Sequence, residues 1–168
     1  DPMATIALGA VTRANFVREI FTGTYSSDMG IWAPDAGKAL RYRKNLGSEE
    51  MLLFFNISAE FAYSQDRRSL SDRARSVVFS SLPDAILVSG QITGEAASIT
   101  ELMSVKKALP NIPVLANTGV KHDTVTQVLT TADGCIVGSS LKEDGDTWKP
   151  VSPERAIEFM NIVNKFRT

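Results

Sequence analysis

The chain alternates short strand-like runs with helical patterns, and this alternation constrains its fold most strongly. The five strand-like runs cover residues 16–20, 51–57, 85–90, 112–117 and 134–140. The run "MLLFFNI" at 51–57 does not alternate between apolar and polar residues, which is typical of a strand buried on both faces. Strands of this kind pair in parallel when helices connect them. The pattern therefore predicts an α/β fold built on a parallel sheet.

A helical pattern lies after each of the five runs, and one more precedes the first. The predicted helices cover residues 36–47, 69–81, 98–109, 123–132 and 152–166. Ser98 and Glu101 form a capping box, and Ser152 followed by Pro153 marks a helix start. The turn-rich segment at 21–35 and the polar stretch after residue 57 show no strand pattern and are interpreted as loops.

The length of the chain suits one domain. No linker divides the 168 residues, so residues 1–168 are predicted to form a single α/β domain. An open doubly wound sheet fits this length, whereas a TIM-barrel-like (β/α) repeat usually needs around 250 residues and would be an incomplete barrel of five parallel strands. The chain starts in a helix-like run without an initiating Met or a preceding strand. We therefore expect the natural chain to begin earlier.

Composition excludes several classes of function. A net charge of -1 and an isoelectric point near 5.9 give no electrostatic basis for binding nucleic acid or an anionic membrane. No apolar run approaches the roughly 20 residues that span a bilayer. One cysteine, Cys135, and one histidine, His122, cannot build a zinc site; oxygen-ligated Mg²⁺ is not excluded, and no cofactor is evident. Because no internal disulfide can form, we expect a reducing compartment, the cytoplasm.

Polar and small residues stand at the end of every predicted strand. They are Arg18, Glu19, Asn56, Ser89, Gly90, Asn117, Thr118, Gly119, Gly138, Ser139 and Ser140. The carboxyl ends of parallel strands share one rim, where α/β proteins bind ligands. Any one of these ends is explained equally well by the need to turn, but five such ends on one rim predict a ligand site.

Two loops, "ANTGV" at 116–120 and "ADGCIVGSS" at 132–140, carry the sharpest signal. Glycine lets backbone N–H groups approach a ligand without a Cβ in the way, and helix N-termini add unpaired donors and partial positive charge. The pair of loops predicts an anion site. The loop at 89–95, which contains Thr93, either wraps a ligand or forms a plain turn, and Lys142 belongs either to a ligand clamp or to a solvated turn.

Glu19 and Asn56 are the predicted catalytic residues, with Glu19 as the acid/base. Alternation along a strand sends Arg18 and Glu19 to opposite faces, so only one of them can face the site. A structural ion pair is the alternative role for this pair. Asn117 is expected to help position a substrate. His122 is expected to lie exposed at the start of a helix, although it could help to bind an anion.

Several motifs in combination resemble the BtpA family, which takes its name from a photosystem I biogenesis factor. They are "FVREIFTG", "PDAILVSGQITGE", "PVLANTGV", "ADGCIVGSSLKEDGD" and "VSPERAIEFM". The resemblance runs from about Asp1 to Arg167 and implies a phosphate-binding TIM barrel, with Gly119, Gly138 and Ser139 as anion-binding positions. It also implies that the five strands are numbers four to eight, in the C-terminal part of a longer barrel. Five units would leave two open sheet edges, which predicts a homo-oligomer.

Three functions remain open from the sequence. The first is an enzyme acting on a phosphorylated small metabolite, a sugar or nucleoside phosphate, as an isomerase, lyase or nucleosidase. Its glycine loops would hold the phosphate, and Glu19 would move a proton. The second is a non-catalytic biogenesis or assembly factor, as the name of the family implies. The third is an inactive piece of a larger enzyme.

Overall fold

The computed structural model describes residues 1–90, 92 and 94–168. In chain order its helices and strands are α1 (Pro2–Thr12), β1 (Phe16–Glu19), β2 (Tyr25–Ser27), β3 (Gly30–Trp32), α2 (Ala36–Asn45), β4 (Leu52–Asn56), β5 (Ala62–Ser64), α3 (Leu70–Ser81), β6 (Ala85–Ser89), α4 (Ile99–Ala108), β7 (Val114–Asn117), α5 (Val125–Leu129), β8 (Gly134–Cys135) and α6 (Pro153–Arg167). Two 3₁₀ turns, Ser139–Leu141 and Glu143–Gly145, follow β8. Of the helices in this described part of the chain, none is long and apolar enough to cross a membrane.

Five strands form a parallel sheet in the order β1-β4-β6-β7-β8, which confirms the fold predicted from the alternating pattern. The central strand β6 is buried at all five residues. The predicted fifth strand, 134–140, is too long. Only Gly134 and Cys135 are in β8, because the chain turns into the 3₁₀ helix Ser139–Leu141 within that range. Strands β1 and β8 are the edges of this sheet, and pairing of copies across them stays a prediction.

A second sheet, antiparallel and in the order β3-β2-β5, lies where the sequence indicated only loops. Each of its strands has three residues, too few for a periodicity to be visible. Its pairing is also non-local, since Tyr25 of β2 lies opposite Ser64 of β5. Tyr25 is 2% exposed and packs in a small cluster with Ile20 and Ala59. This burial stabilises a sheet that local sequence does not reveal.

The predicted helix starts are confirmed by their hydrogen bonds. The Ser98 side chain accepts from the Glu101 N–H, and the Ser152 side chain accepts from the Arg155 N–H. Helix α5 is shorter than predicted and lacks a side-chain cap. A turn precedes it, in which the Lys121 carbonyl accepts from the N–H groups of Thr124 and Val125. Asp123 and Thr124, which were expected to begin the helix, therefore lie in this turn.

The five-stranded sheet has one covered face and one partly open face. Phe55 and Val88 are fully buried and pack in the main core with Val105 of α4. On the other face Phe16 and Leu52 remain 47% and 43% exposed. Burial on both faces is therefore correct for β6 but wrong for β4, because no element of the described chain covers Leu52.

Two aspartates hold the amino-terminal ends of the strands. The Asp84 carboxylate accepts from the Leu53 N–H at 2.7 Å, and the Asp133 carboxylate accepts from the Val114 N–H at 2.8 Å. Asp133 also accepts from Lys106 Nζ at 2.7 Å. Burial raises the pKa of Asp133, but the hydrogen bonds from Lys106 and from the Val114 N–H outweigh burial and lower the pKa below its ordinary value. The carboxylates of Asp84 and Asp133, at the amino-terminal end of the sheet, are therefore engaged in hydrogen bonds within the protein.

Candidate anion-binding site

A cavity of about 820 Å³ lies at the carboxyl-terminal end of the sheet. Two loops line it together: the Gly119 loop, residues 117–120, and the Gly138 loop, residues 136–142. The predicted site residues in its wall are Arg18, Asn117, Thr118, Gly119, Gly138, Ser139, Ser140 and Lys142. The structure thus brings both glycine loops to one cavity, as expected if the carboxyl ends of neighbouring parallel strands share a rim.

The Gly119 loop is shaped by its contact with the segment that follows β6. Thr118 and Gly119 both adopt left-handed backbone conformations, with φ of 61° and 64°. The Thr118 hydroxyl accepts from the Gly90 N–H at 3.0 Å and donates to the Glu95 carbonyl at 2.8 Å. A Cβ added to Gly119 would lie 2.1 Å from the backbone nitrogen of Ala96. Glycine is therefore required at position 119 by packing within the protein itself.

Packing within the protein also requires glycine at position 90, and Gly90 does not line the cavity. A Cβ on Gly90 would lie 2.2 Å from the Glu95 carbonyl oxygen. Glu95 and Ala96 thus pack directly against Gly90 and Gly119 and leave no room for a side chain on either glycine. Thr93, which the sequence places in this segment as a candidate binding residue, lies outside the described residues.

The Gly138 loop differs because its glycine faces open space. A Cβ added to Gly138 would meet no atom within 4 Å among the described residues. The next side chains are held within the loop region: Ser139 Oγ lies 2.7 Å from Thr147 Oγ1, and Lys142 Nζ donates to the Thr147 carbonyl. Packing therefore does not explain Gly138, and the space beside it belongs to the cavity.

A buried polar network joins four strand ends behind the cavity wall. Ser89 Oγ accepts from Asn56 Nδ2 and from Asn117 Nδ2, each at 2.8 Å, and Arg18 donates to Asn117 Oδ1 at 3.1 Å. Asn56, Ser89 and Asn117 are at most 3% exposed. Asn56 and Ser89 do not line the cavity. Their contacts fix Asn117, which in turn orients the Arg18 guanidinium.

Glu19 lies away from this cavity. Its carboxylate accepts from Thr5 Oγ1 of α1 at 3.0 Å and from the Ile20 N–H at 2.9 Å. Arg18 faces the cavity and Glu19 does not, as strand alternation predicted, and the two form no ion pair within the described residues. Three other carboxylates do line the cavity, those of Glu60, Asp123 and Asp144. Glu60, in the loop after β4, also accepts from Asn56 Nδ2 of the buried network at 3.4 Å. Sequence reasoning missed Glu60, and no local signal singles it out.

The expectation that His122 is exposed is wrong. His122 is half-buried in the cavity wall, with Nδ1 2.9 Å from Ser140 Oγ and Nε2 2.9 Å from the Arg155 carbonyl oxygen. Its ring also lies edge-on to Phe159 of α6. Arg155 lines the cavity too, and sequence reasoning missed it. Its place in the first turn of α6, the next α-helix after the Gly138 loop, is the signal that could have found it.

Solved structures with the same fold define the class of protein. The described chain has a TM-score of 0.62 and 14% identity with a structure called "Native KDPGal structure", over 99% of this chain and 66% of the other. It has a TM-score of 0.61 and 14% identity with N-(5'-phosphoribosyl)anthranilate isomerase from Pyrococcus furiosus, over 97% and 69%. The fold is therefore TIM-barrel-like, with five parallel strands of the barrel present.

The sequence identifies the family within that class. The model of the BtpA family matches residues 1–165, and the chain belongs to this family. It is 39% identical to the putative sgc region protein SgcQ of Escherichia coli over 99% of this chain and 62% of that protein. It is 28% identical to the photosystem I biogenesis protein BtpA of Synechocystis over 97% of this chain and 57% of that protein. The chain thus spans less than two thirds of the length of these relatives.

Proposed function

We propose that this protein binds a phosphorylated small metabolite, a sugar or nucleoside phosphate, with the phosphate between the Gly119 and Gly138 loops. The observation that carries the proposal is the single cavity lined by both loops, with open space beside Gly138. The fold adds support, because one protein that shares it is named for a phosphoribosyl compound. Phosphate sites at the last two strand loops also recur in TIM barrels.

The charges around the cavity suit a ligand with an anionic end and a polar body. Arg18 and Lys142 lie in the wall, and guanidinium and ammonium groups bind phosphate through charge-assisted hydrogen bonds. Asn117, fixed by Ser89, presents a neutral amide to the rest of the ligand. Of the three carboxylates in the wall, Glu60 is the one that accepts from Asn56 of the buried network, so in our proposal it replaces Glu19 as the proton carrier of an isomerase, lyase or nucleosidase.

A paired ligand screen tests this proposal. Sugars and nucleosides are compared with their own phosphates by thermal shift at millimolar concentration. We expect the phosphates to raise the melting temperature and the unphosphorylated partners to leave it unchanged. A ligand at 100 times its Kd stabilises the folded state by about 2.7 kcal/mol, a readily measured effect. Equal shifts for both members of every pair, or none at all, would contradict the proposal.

A second candidate is a non-catalytic assembly factor, which the name of the Synechocystis relative supports. This function needs a protein partner and no turnover. The same screen separates the two, because an assembly factor that does not use the cavity gains no stability from phosphates. Retention of a partner by a protein whose cavity has been blocked at Gly138 would favour this second candidate.

A further inference from the structure

Three residues from three different elements form a closed set of hydrogen bonds beside the Gly138 loop. His122 follows β7, Ser140 follows β8, and Arg155 lies in the first turn of α6. The His122 ring bonds to Ser140 Oγ and to the Arg155 carbonyl, and Arg155 Nε donates to the Ser140 carbonyl, all at 2.9 Å. We call these residues the His122 triangle. All three line the cavity.

The chemistry of these partners fixes the direction of each bond. A carbonyl oxygen can only accept, so His122 Nε2 carries the hydrogen that bonds to Arg155. In the neutral ring Nδ1 is then an acceptor, and the Ser140 hydroxyl donates to it. The Ser140 hydroxyl proton and the Ser140 carbonyl are thereby both engaged inside the triangle. The terminal guanidinium nitrogens of Arg155 are the groups of the triangle that remain available to a ligand in the cavity.

Four lysines and arginines line the cavity: Arg18, Lys121, Lys142 and Arg155. Arg155 is better placed for the Gly138 loop than the other three, of which Lys121 lies in the turn before α5. Lys142 donates to the Thr147 carbonyl, and Arg18 is attached through Asn117 to the other strand ends. Arg155 is attached to the Gly138 loop itself, through its bond to Ser140. Only Nε is used in that bond, so both terminal nitrogens can present N–H groups to a single anion. Within the described residues Arg155 forms no ion pair.

We propose that Arg155 is the residue that selects for the phosphate group, and that His122 is a positioning residue that holds it in place. The inference rests on the proposed function, since it names the cation of the same site. The ligand class it specifies is a compound ending in a phosphate monoester, whose oxygens can accept from both terminal nitrogens. Ser140 contributes by connecting the two residues and not by contacting the anion with its own hydroxyl.

Calorimetric titration with inorganic phosphate tests this assignment in the wild-type protein, R155Q, R155K and K165Q. We expect R155Q to weaken phosphate binding by about tenfold to a hundredfold, the range for loss of charged hydrogen bonds. R155K should be intermediate, because an ammonium retains the charge without the planar pair of donors. K165Q is the matched control. It removes one positive charge from an exposed side chain in the last turn of the same helix, which forms no ion pair within the described residues and does not line the cavity, and should bind as wild type does.

The positioning role of His122 is tested by rescue. H122A should weaken phosphate binding by roughly threefold to tenfold, the value of one or two hydrogen bonds. H122Q should recover most of the loss, because an amide offers one acceptor and one donor as the neutral imidazole does. Equal weakening in both variants would overturn the positioning role.

The outcomes separate this inference from the proposed function. If wild type binds phosphate and both R155Q and R155K bind within twofold of it, Arg155 is not the selecting residue while the phosphate site stands. If wild type binds no phosphate, both proposals fail. Should R155Q not fold, as judged by circular dichroism, the comparison of R155K with K165Q decides the question alone.

Discussion

The Gly119 and Gly138 loops resemble each other in sequence, yet their glycines have different physical causes. Gly119 has a positive φ of 64° and its missing Cβ would collide with the backbone of Ala96. Gly138 has no positive φ and no atom near the place of its missing Cβ among the described residues. Crowding by the rest of the protein explains Gly119, and it does not explain Gly138, which lies in the cavity wall.

This difference shows that each glycine of a motif has to be assigned separately, either to the packing of the fold or to the binding of a ligand. A strained or crowded glycine must be conserved by any protein with this backbone, whatever it binds. An uncrowded glycine in a cavity wall has no such reason to be small. The anion site proposed here therefore depends on Gly138 more directly than on Gly119. The first two of the three changes below test that division, and the three run from the largest expected effect to the smallest.

Replacing Gly119 with alanine should have the largest effect, and on stability. The change combines a left-handed backbone conformation with a backbone collision at 2.1 Å, and we expect a loss of about 3 kcal/mol or more in the free energy of unfolding. Urea denaturation measures it. A loss below 1 kcal/mol would show that the segment at 95–96 moves aside easily and that Gly119 is not a packing residue.

Replacing Gly138 with alanine should have the opposite profile. The new methyl group enters open space, so the free energy of unfolding should change by less than about 1 kcal/mol. It also occupies part of the proposed phosphate site, and we expect phosphate affinity to fall about tenfold, equivalent to about 1.4 kcal/mol. Calorimetric titration beside urea denaturation gives both numbers. Unchanged affinity would remove the distinction between the two loops.

Asp133 should give the smallest effect, and one that depends on pH. Hydrogen bonds from Lys106 and the Val114 N–H outweigh burial and lower its pKa, so ionised Asp133 stabilises the folded state above the ordinary carboxyl value of 3.8. That contribution is lost as pH falls through the lowered pKa. D133N should therefore cost less than about 1 kcal/mol at pH 7.

The control for Asp133 is the same pair of proteins at low pH. The difference in unfolding free energy between wild type and D133N should shrink between pH 5 and pH 3, because wild type alone loses an ionised group there. A difference that stays constant over this range would show that the Asp133 charge does not contribute. Phosphate affinity at pH 7 should be nearly unchanged, since Asp133 lies at the opposite end of β8 from the Gly138 loop.

Much of the fold was predictable because its signals are local. Short strand-like runs gave the five parallel strands, and serine caps gave the starts of α4 and α6. The antiparallel sheet of β2, β3 and β5 was not predictable, because three-residue strands have no visible period and β2 pairs with β5 across nearly 40 residues. The length of β8 was also misjudged, since an apolar strand and an apolar turn have similar composition.

The candidate site was predictable only in part, for a similar reason. Strand-end residues such as Asn117 and Gly138 could be placed on one rim, because parallel strands put their carboxyl ends together. The side-chain partners could not be placed. Nothing local distinguishes Glu19, which turns toward α1, from Glu60, which lies in the cavity wall. Nor does local sequence connect His122 with Arg155, which is 33 residues away.

The sequence by itself determined the parallel α/β architecture, the starts of the serine-capped helices and the edge of the sheet that carries the polar residues. These follow from periodicity and capping, which act over a few residues of chain. Only the tertiary structure decided which glycine is crowded, which carboxylate reaches the cavity and which arginine is attached to the Gly138 loop. Such contacts join residues far apart in the chain, and they form only when the strands and helices have packed.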